Sequence, residues 1–175
     1  MESPPPRNAL IAVDTNVLLD MALADDDVLD AIETIRKRIS SAQFIVPPTV
    51  AHELVDQLDH ADTKRKRDAA KTALQKLHRQ WRFELINLVP VGHGIVEQIA
   101  RRLHHQRLLP PEEVNDAMVL AEAALLGCRM LLTSDAHLRG IDFQKLSLEL
   151  HACDVAAPLI ATPREIVRKF WSRSN

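Results

Sequence analysis

Four short apolar runs constrain this chain more than anything else in it: ALIAV at 9–13, QFIVP at 43–47, CRMLLTSD at 128–135 around its MLL core, and PLIA at 158–161. None alternates apolar with polar residues, and each stops at a proline or a polar residue. Segments of that kind read as strands buried on both faces, the habit of parallel sheets. Helical periodicity fills the gaps between them. Residues 25–39 place Val28, Leu29, Ile32, Ile35 and Ile39 on one side, behind aspartates suited to a helix N-terminus. Pro47 and Pro48 open a second helix through Val50, Leu54, Val55 and Leu58, since proline is tolerated in a first turn. Further helices are predicted over 63–82, 93–108, 115–126 and 163–171, the last with Thr162 as N-cap and Pro163 in its first turn. Strands alternating with helices predict a parallel sheet covered on both faces.

At 175 residues with 46% apolar composition, the chain has material for one substantial core and too little for two ordinary domains. The expectation is one domain over 9–175 behind a flexible tail of residues 1–8. No apolar run approaches the roughly 18 residues of a membrane span. MESPPPRNAL has no apolar signal core behind a basic start. The protein is therefore expected to be cytoplasmic, with no membrane partner. Cys128 and Cys153 have neither the number nor the spacing of a zinc site or a disulfide framework, and read as small core residues.

Each strand meets a carboxylate or a helix start at its far end. ALIAV runs straight into Asp14, and MLL into Thr133, Ser134 and Asp135. Glu53 lies within two turns of the start of the helix after QFIVP, and Asp116 begins the helix NDAMVLAEAALLG. Open parallel sheets bind ligands beyond the carboxyl ends of their strands, so these acids are predicted to share one edge. Each has an ordinary explanation alone. Asp116, or Asn115 beside it, is a good N-cap; Glu53 is a common early helix acid; Asp135 suits an Asx-turn in SDAHL. Together they repel one another unless cations hold them, and magnesium or manganese favour such oxygen ligands.

Other chemistries fit less well. Gly92, Gly94, Gly127 and Gly140 supply no GxxxxGK[ST] loop, and no GxSxG elbow is present. Asn16 stands two residues after Asp14, where a dehalogenase-like phosphatase wants a second acid. His104, His105 and His137 lack a strong zinc spacing, and His137, on a loop near the acids, reads as a solvated side chain.

Taken in order, VDTNVLLD, PPTVAHEL, VNDAMVLAEAALLG, LLTSDAHLRGIDF and IATPREIV resemble the PIN-domain nucleases over most of the chain. The resemblance implies a three-layer α/β/α fold and divalent-metal-dependent cleavage of RNA phosphodiesters. It makes Asp14, Glu53, Asp116 and Asp135 the acidic quartet, holding one or two Mg2+ or Mn2+ ions, with Thr15, Asn16 and Ser134 as polar supports. Many bacterial members are VapC-type toxins, so an antitoxin protein and a homodimer are admitted as partners beside the RNA substrate. An RNA-processing or quality-control nuclease without an antitoxin, and a non-catalytic RNA-binding scaffold, stay open as alternatives.

The net charge of −2 hides an asymmetry. Residues 63–82 hold eight basic side chains against Asp68 alone, or +7, which leaves −9 on the remainder. On a helical wheel Ala70, Ala73, Leu74, Leu77 and Trp81 form an apolar stripe, flanked by Lys64, Arg67, Lys71, His78 and Arg82. Lys64, Arg67, Lys71 and Arg82 are the RNA-binding candidates, against the plainer reading of a solvated helix whose long stems cover its core edge.

Overall fold

The computed structural model describes residues 8–171. The expected tail falls, apart from Asn8, outside the described residues. Five strands, β1 (Ala9–Val13), β2 (Ala42–Val46), β3 (Glu84–Leu85), β4 (Met130–Leu132) and β5 (Leu159–Ala161), form a sheet in the order β3-β2-β1-β4-β5. Every neighbouring pair is parallel, with β1 bonded to β2 through Ile11↔Phe44 and to β4 through Ile11↔Met130. The predicted three-layer α/β/α fold with a central parallel sheet is what forms. From β1 the chain builds outward through β2 and β3, then crosses back to place β4 on the other side of β1. The order thus reverses between β1 and β4, and a crevice opens there at the carboxyl ends of the strands.

The helices are α1 (Thr15–Ala22), α2 (Asp26–Arg38), α3 (Pro48–His60), α4 (Lys64–Lys76), α5 (Pro90–His105), α6 (Val114–Leu125), α7 (Ala136–Arg139), α8 (Phe143–His151) and α9 (Pro163–Trp171). Their starts follow local chemistry. Asp25 caps α2 by accepting from the Val28 amide at 3.1 Å, and Arg36, Lys37 and Arg38 lie in its last turn, favourable to the helix dipole. Thr162 caps α9 as the sequence predicts, and Glu165 completes a reciprocal capping box with it. Packing joins α2 to α9, α5 to α6, and α3 to both α4 and α6.

Several expectations need correction. The helix predicted over 63–82 stops at Lys76, because the Gln80 and Trp81 amides both turn back to the Lys76 carbonyl and the Phe83 amide to that of Leu77. The turn lets Phe83 stack on Phe44, ring centroids 4.9 Å apart, with the Arg36 guanidinium over both rings. Arg82 therefore leaves the basic helix face, in a left-handed conformation with φ 55°. The helix expected at 93–108 instead starts at Pro90 and ends at His105, before Arg107 at φ 55°. Cys128 is buried as predicted, whereas Cys153 is only partly so. α1, α7, α8 and β3 were not anticipated from the sequence. No helix among the described residues is long and apolar enough to cross a membrane.

Candidate active site

The β1/β4 crevice is lined by acids that the sequence scatters over 122 positions. Asp14 ends β1 and caps α1, its Oδ1 accepting from the Thr15 amide at 2.7 Å. Only 4% exposed, it is one of few buried charged residues among those described. Its Oδ2 accepts from Thr133 Oγ1 at 2.6 Å and from Asn16 Nδ2 at 3.1 Å. Thr133 Oγ1 in turn accepts from the Asp135 amide at 3.0 Å, so one buried hydroxyl joins the ends of β1 and β4. Asn16 Oδ1 accepts from the Ser134 amide at 3.1 Å, a second bridge across the same gap.

Asp135 follows β4 and caps α7, its Oδ1 accepting from the His137 and Leu138 amides at 2.7 and 3.0 Å. The turn expected of SDAHL is thus present, and it fixes the carboxylate at the crevice. Glu53, sixth residue of α3, accepts from Thr15 Oγ1 through Oε2 and from Asn115 Nδ2 through Oε1, the latter at 2.7 Å. Asp116 is the third residue of α6, not its cap; Glu113 holds the cap position and makes no side-chain cap bond. The ordinary explanation of Asp116 therefore fails. Its Oδ2 is buried and receives a hydrogen bond from no donor of the chain.

Electrostatics ties the four acids together. The Asp14 carboxyl is raised to about 6, chiefly by burial and also by the charges of Glu53 and Asp135, against the lowering pull of its Thr133 and Thr15 bonds. Asp116 is pushed up to about 8, first by burial, then by the charges of Asp135, Asp14 and Glu113, and last by a hydrogen bond to Asp135 that only its protonated form can make. Among the described residues no three Asp, Glu, His or Cys side chains form a ready-made shell around one ion. Glu53 is held by Thr15 and Asn115, and Asp135 by the α7 cap it forms. A buried, unpartnered carboxylate oxygen between two further acids fits a hard divalent cation, whose ligands are oxygens. Hollows of about 330 and 360 Å³ flank the acids, one lined by Asp20, Asp25, Ser134, Thr162 and Arg164, the other by His52, Glu53, Asp56 and Asn115.

With this geometry in place, residues 11–144 match the PIN domain. The chain belongs to the PIN domain family. The family is one of nucleases that generally use divalent metal ions. VapBC2 from Rickettsia felis, crystallised bound to a DNA fragment from its promoter, is similar in fold at a TM-score of 0.60 and 14% identity, over 87% of this chain and 98% of that one. FitAcB from Neisseria gonorrhoeae gives a TM-score of 0.46 and 17% identity, over 87% of this chain and 97% of that one. No curated protein matches the chain.

In this PIN domain the supporting residues differ in part from those expected. Thr15 reaches Glu53 and Asn16 reaches Asp14, but Ser134 contributes its backbone amide, and Thr133 is the side chain that touches Asp14. The signal was there: a hydroxyl two residues before Asp135, directly after the strand. Asn115, a cap candidate in the sequence, instead binds Glu53, and the cap position belongs to Glu113, which no sequence signal marks. Glu113 pairs with His137 Nε2 at 3.4 Å, which brings His137 to the rim of the crevice. On α4, Lys64, Arg67 and Lys71 are exposed, with Arg67 Nη1 donating to the Ala61 carbonyl at 2.8 Å.

Proposed function

We propose that this PIN domain is a divalent-metal-dependent endoribonuclease with Asp14, Glu53, Asp116 and Asp135 as its acid centre. The observation that carries the reading is the buried Asp116 oxygen that no group of the chain satisfies, set beside Asp14 and Asp135. Asp14 and Asp116 would hold magnesium or manganese directly, Asp135 directly or through water, and Glu53 would hold an ion or orient the attacking water. A bound divalent ion supplies neutralisation of the anionic phosphodiester and acidification of water near it. Thr133, Thr15 and Asn16 keep the Asp14 carboxylate from turning away from the crevice, as supporting hydrogen bonds do at metal sites. Glu53 presents oxygens whose position is set by Thr15 and Asn115, while Lys64, Arg67 and Lys71 offer charges for RNA phosphates along α4.

Similarity to VapC-type toxins in the sequence, and to VapBC2 in fold, favours a toxin with an antitoxin partner over an RNA-processing enzyme. The test is cleavage of a panel of structured RNAs. Excess chelator should abolish cleavage and added manganese restore it, whereas persistent activity in chelator would refute the metal-dependent mechanism. Co-purification with the product of an adjoining small gene separates toxin from processing enzyme.

A further inference from the structure

Glu122 is a buried carboxylate with no place in the acid centre. It is 1% exposed, on α6, six residues beyond Asp116. Its partner is the start of α3, a helix whose own sequence leaves its first turn open. The cap residue of α3 is Pro47, without a side-chain cap bond, and Pro48 has no N–H, so the first amide in need of an acceptor belongs to Thr49. Glu122 takes it: the Thr49 amide donates to Oε1 at 3.2 Å and to Oε2 at 3.1 Å, and Thr49 Oγ1 donates to Oε1 at 2.8 Å. A carboxylate at a helix N-terminus is favoured by the helix dipole, and bonds to a charged acceptor are the stronger ones. Burial raises the Glu122 carboxyl, while its Thr49 bonds, His93 and His52 draw it down. α6 thus supplies the cap that α3 lacks.

Glu53 lies four residues after Thr49, one turn along the same side of α3. It meets α6 as well, through Asn115. The two helices are therefore pinned at two points, Thr49 to Glu122 and Glu53 to Asn115. One pin leaves a helix free to rotate about it; two set both its rotation and its slide. We propose that Glu122 is a positioning residue, which sets the register of α3 on α6 and so holds Glu53 at the acid centre. Only the activity arm of the test rests on the nuclease reading above.

The Asn115 side-chain amide gives a readout independent of activity, because its NMR signals report the bond to Glu53. They are assigned by their loss in Asn115→Ala and referenced to Glu53→Ala, in which the acceptor is gone. Glu122→Ala should move them toward the Glu53→Ala position, and Glu122→Gln, which keeps one acceptor oxygen, should return most of that shift. Signals that stay at the wild-type position while Tm falls would overturn the proposal and leave Glu122 a stabilising cap alone. Should Glu122→Ala not fold, Thr49→Val removes the hydroxyl bond and keeps the amide bond. It should shift the same signals by less, and no shift would equally overturn the proposal. In cleavage assays well below Tm, Glu122→Ala should lower kcat roughly 10- to 100-fold with KM unchanged. In a Glu53→Ala background it should add no further loss, since both act through one group. Absence of cleavage by the wild-type protein would overturn the nuclease function, and the amide signals would still decide the role of Glu122.

Discussion

Asp116→Asn keeps the shape of the side chain, removes its charge and sacrifices no hydrogen bond at Oδ2, which has none. In the folded chain burial and the neighbouring acids push the Asp116 carboxyl up to about 8, from an ordinary 3.8. A carboxyl with a raised folded pKa holds its proton more tightly folded than unfolded. It therefore costs no stability below pH 3.8, where both states hold the proton, and becomes a growing deficit as pH rises toward 8. Four units correspond to almost 6 kcal/mol at about 1.4 kcal/mol per unit. Asp116 is only half-buried, and water screens its charge, so we take about one third, near 2 kcal/mol. At pH 7.5 in chelator, Asp116→Asn should then melt about 4–8 °C above wild type, at roughly 2–4 °C per kcal/mol for a chain of this size. At pH 4 the two should nearly coincide. Manganese should reverse the order, because an ion present at 100 times its Kd adds about 2.7 kcal/mol to the protein that binds it. Thermal melts at both pH values, with chelator and with manganese, check each point. An equal manganese shift in the two proteins, or a variant that melts lower in chelator at pH 7.5, would refute the idea that Asp116 awaits a cation.

Further outcomes concern the other parts of the site. Asp14→Asn should lower RNA cleavage by more than about 100-fold, beyond the usual cost of losing a supporting group, while Asp25→Asn should change it little, because asparagine caps α2 as well as aspartate does; steady-state rates on one RNA substrate compare them. Thr133→Val strands the part-buried Asp135 amide and removes the donor to Asp14. It should cost about 1–3 kcal/mol in urea unfolding and lower cleavage by about 10- to 100-fold. Reversing Lys64, Arg67 and Lys71 together to glutamate should flatten the salt dependence of RNA binding, by about 0.7 in log–log slope for each phosphate that α4 no longer neutralises. Titrations at several salt concentrations in the Asp14→Asn background measure it, and an unchanged slope would move the RNA path off α4.

Much of this protein is legible in its sequence because the relevant physics is local. Strands buried on both faces must be apolar without alternation, so ALIAV and MLL announce a parallel sheet before any pairing is known. The aspartates that open α2 and Thr162-Pro163 before α9 are read directly, since a cap needs only its own turn. The four acids are legible for a related reason: each stands where a strand ends or a helix begins, and in parallel sheets those ends face one edge.

What the sequence could not show depends on segments that meet only on folding. α1 begins on the residue after the strand-end acid, with no loop to mark it, and β3 is two exposed residues that exist because Ile45 and Val46 pair with them. α4 stops at Lys76 because Phe83 has a stacking partner 39 residues upstream, which no helical wheel contains. Thr133 rather than the Ser134 side chain supports Asp14 because the register of β4 against β1 points its hydroxyl across a gap of 119 positions. Asp116 and Glu122 differ most from their local reading. On α6 both are ordinary helix acids, and tertiary packing alone gives one, half-buried, a buried carboxylate oxygen with no donor and makes the other the cap of a helix 73 residues away. Propensity and capping act within a turn, whereas burial and charge coupling depend on which distant surfaces come together, and that is decided by the sheet order.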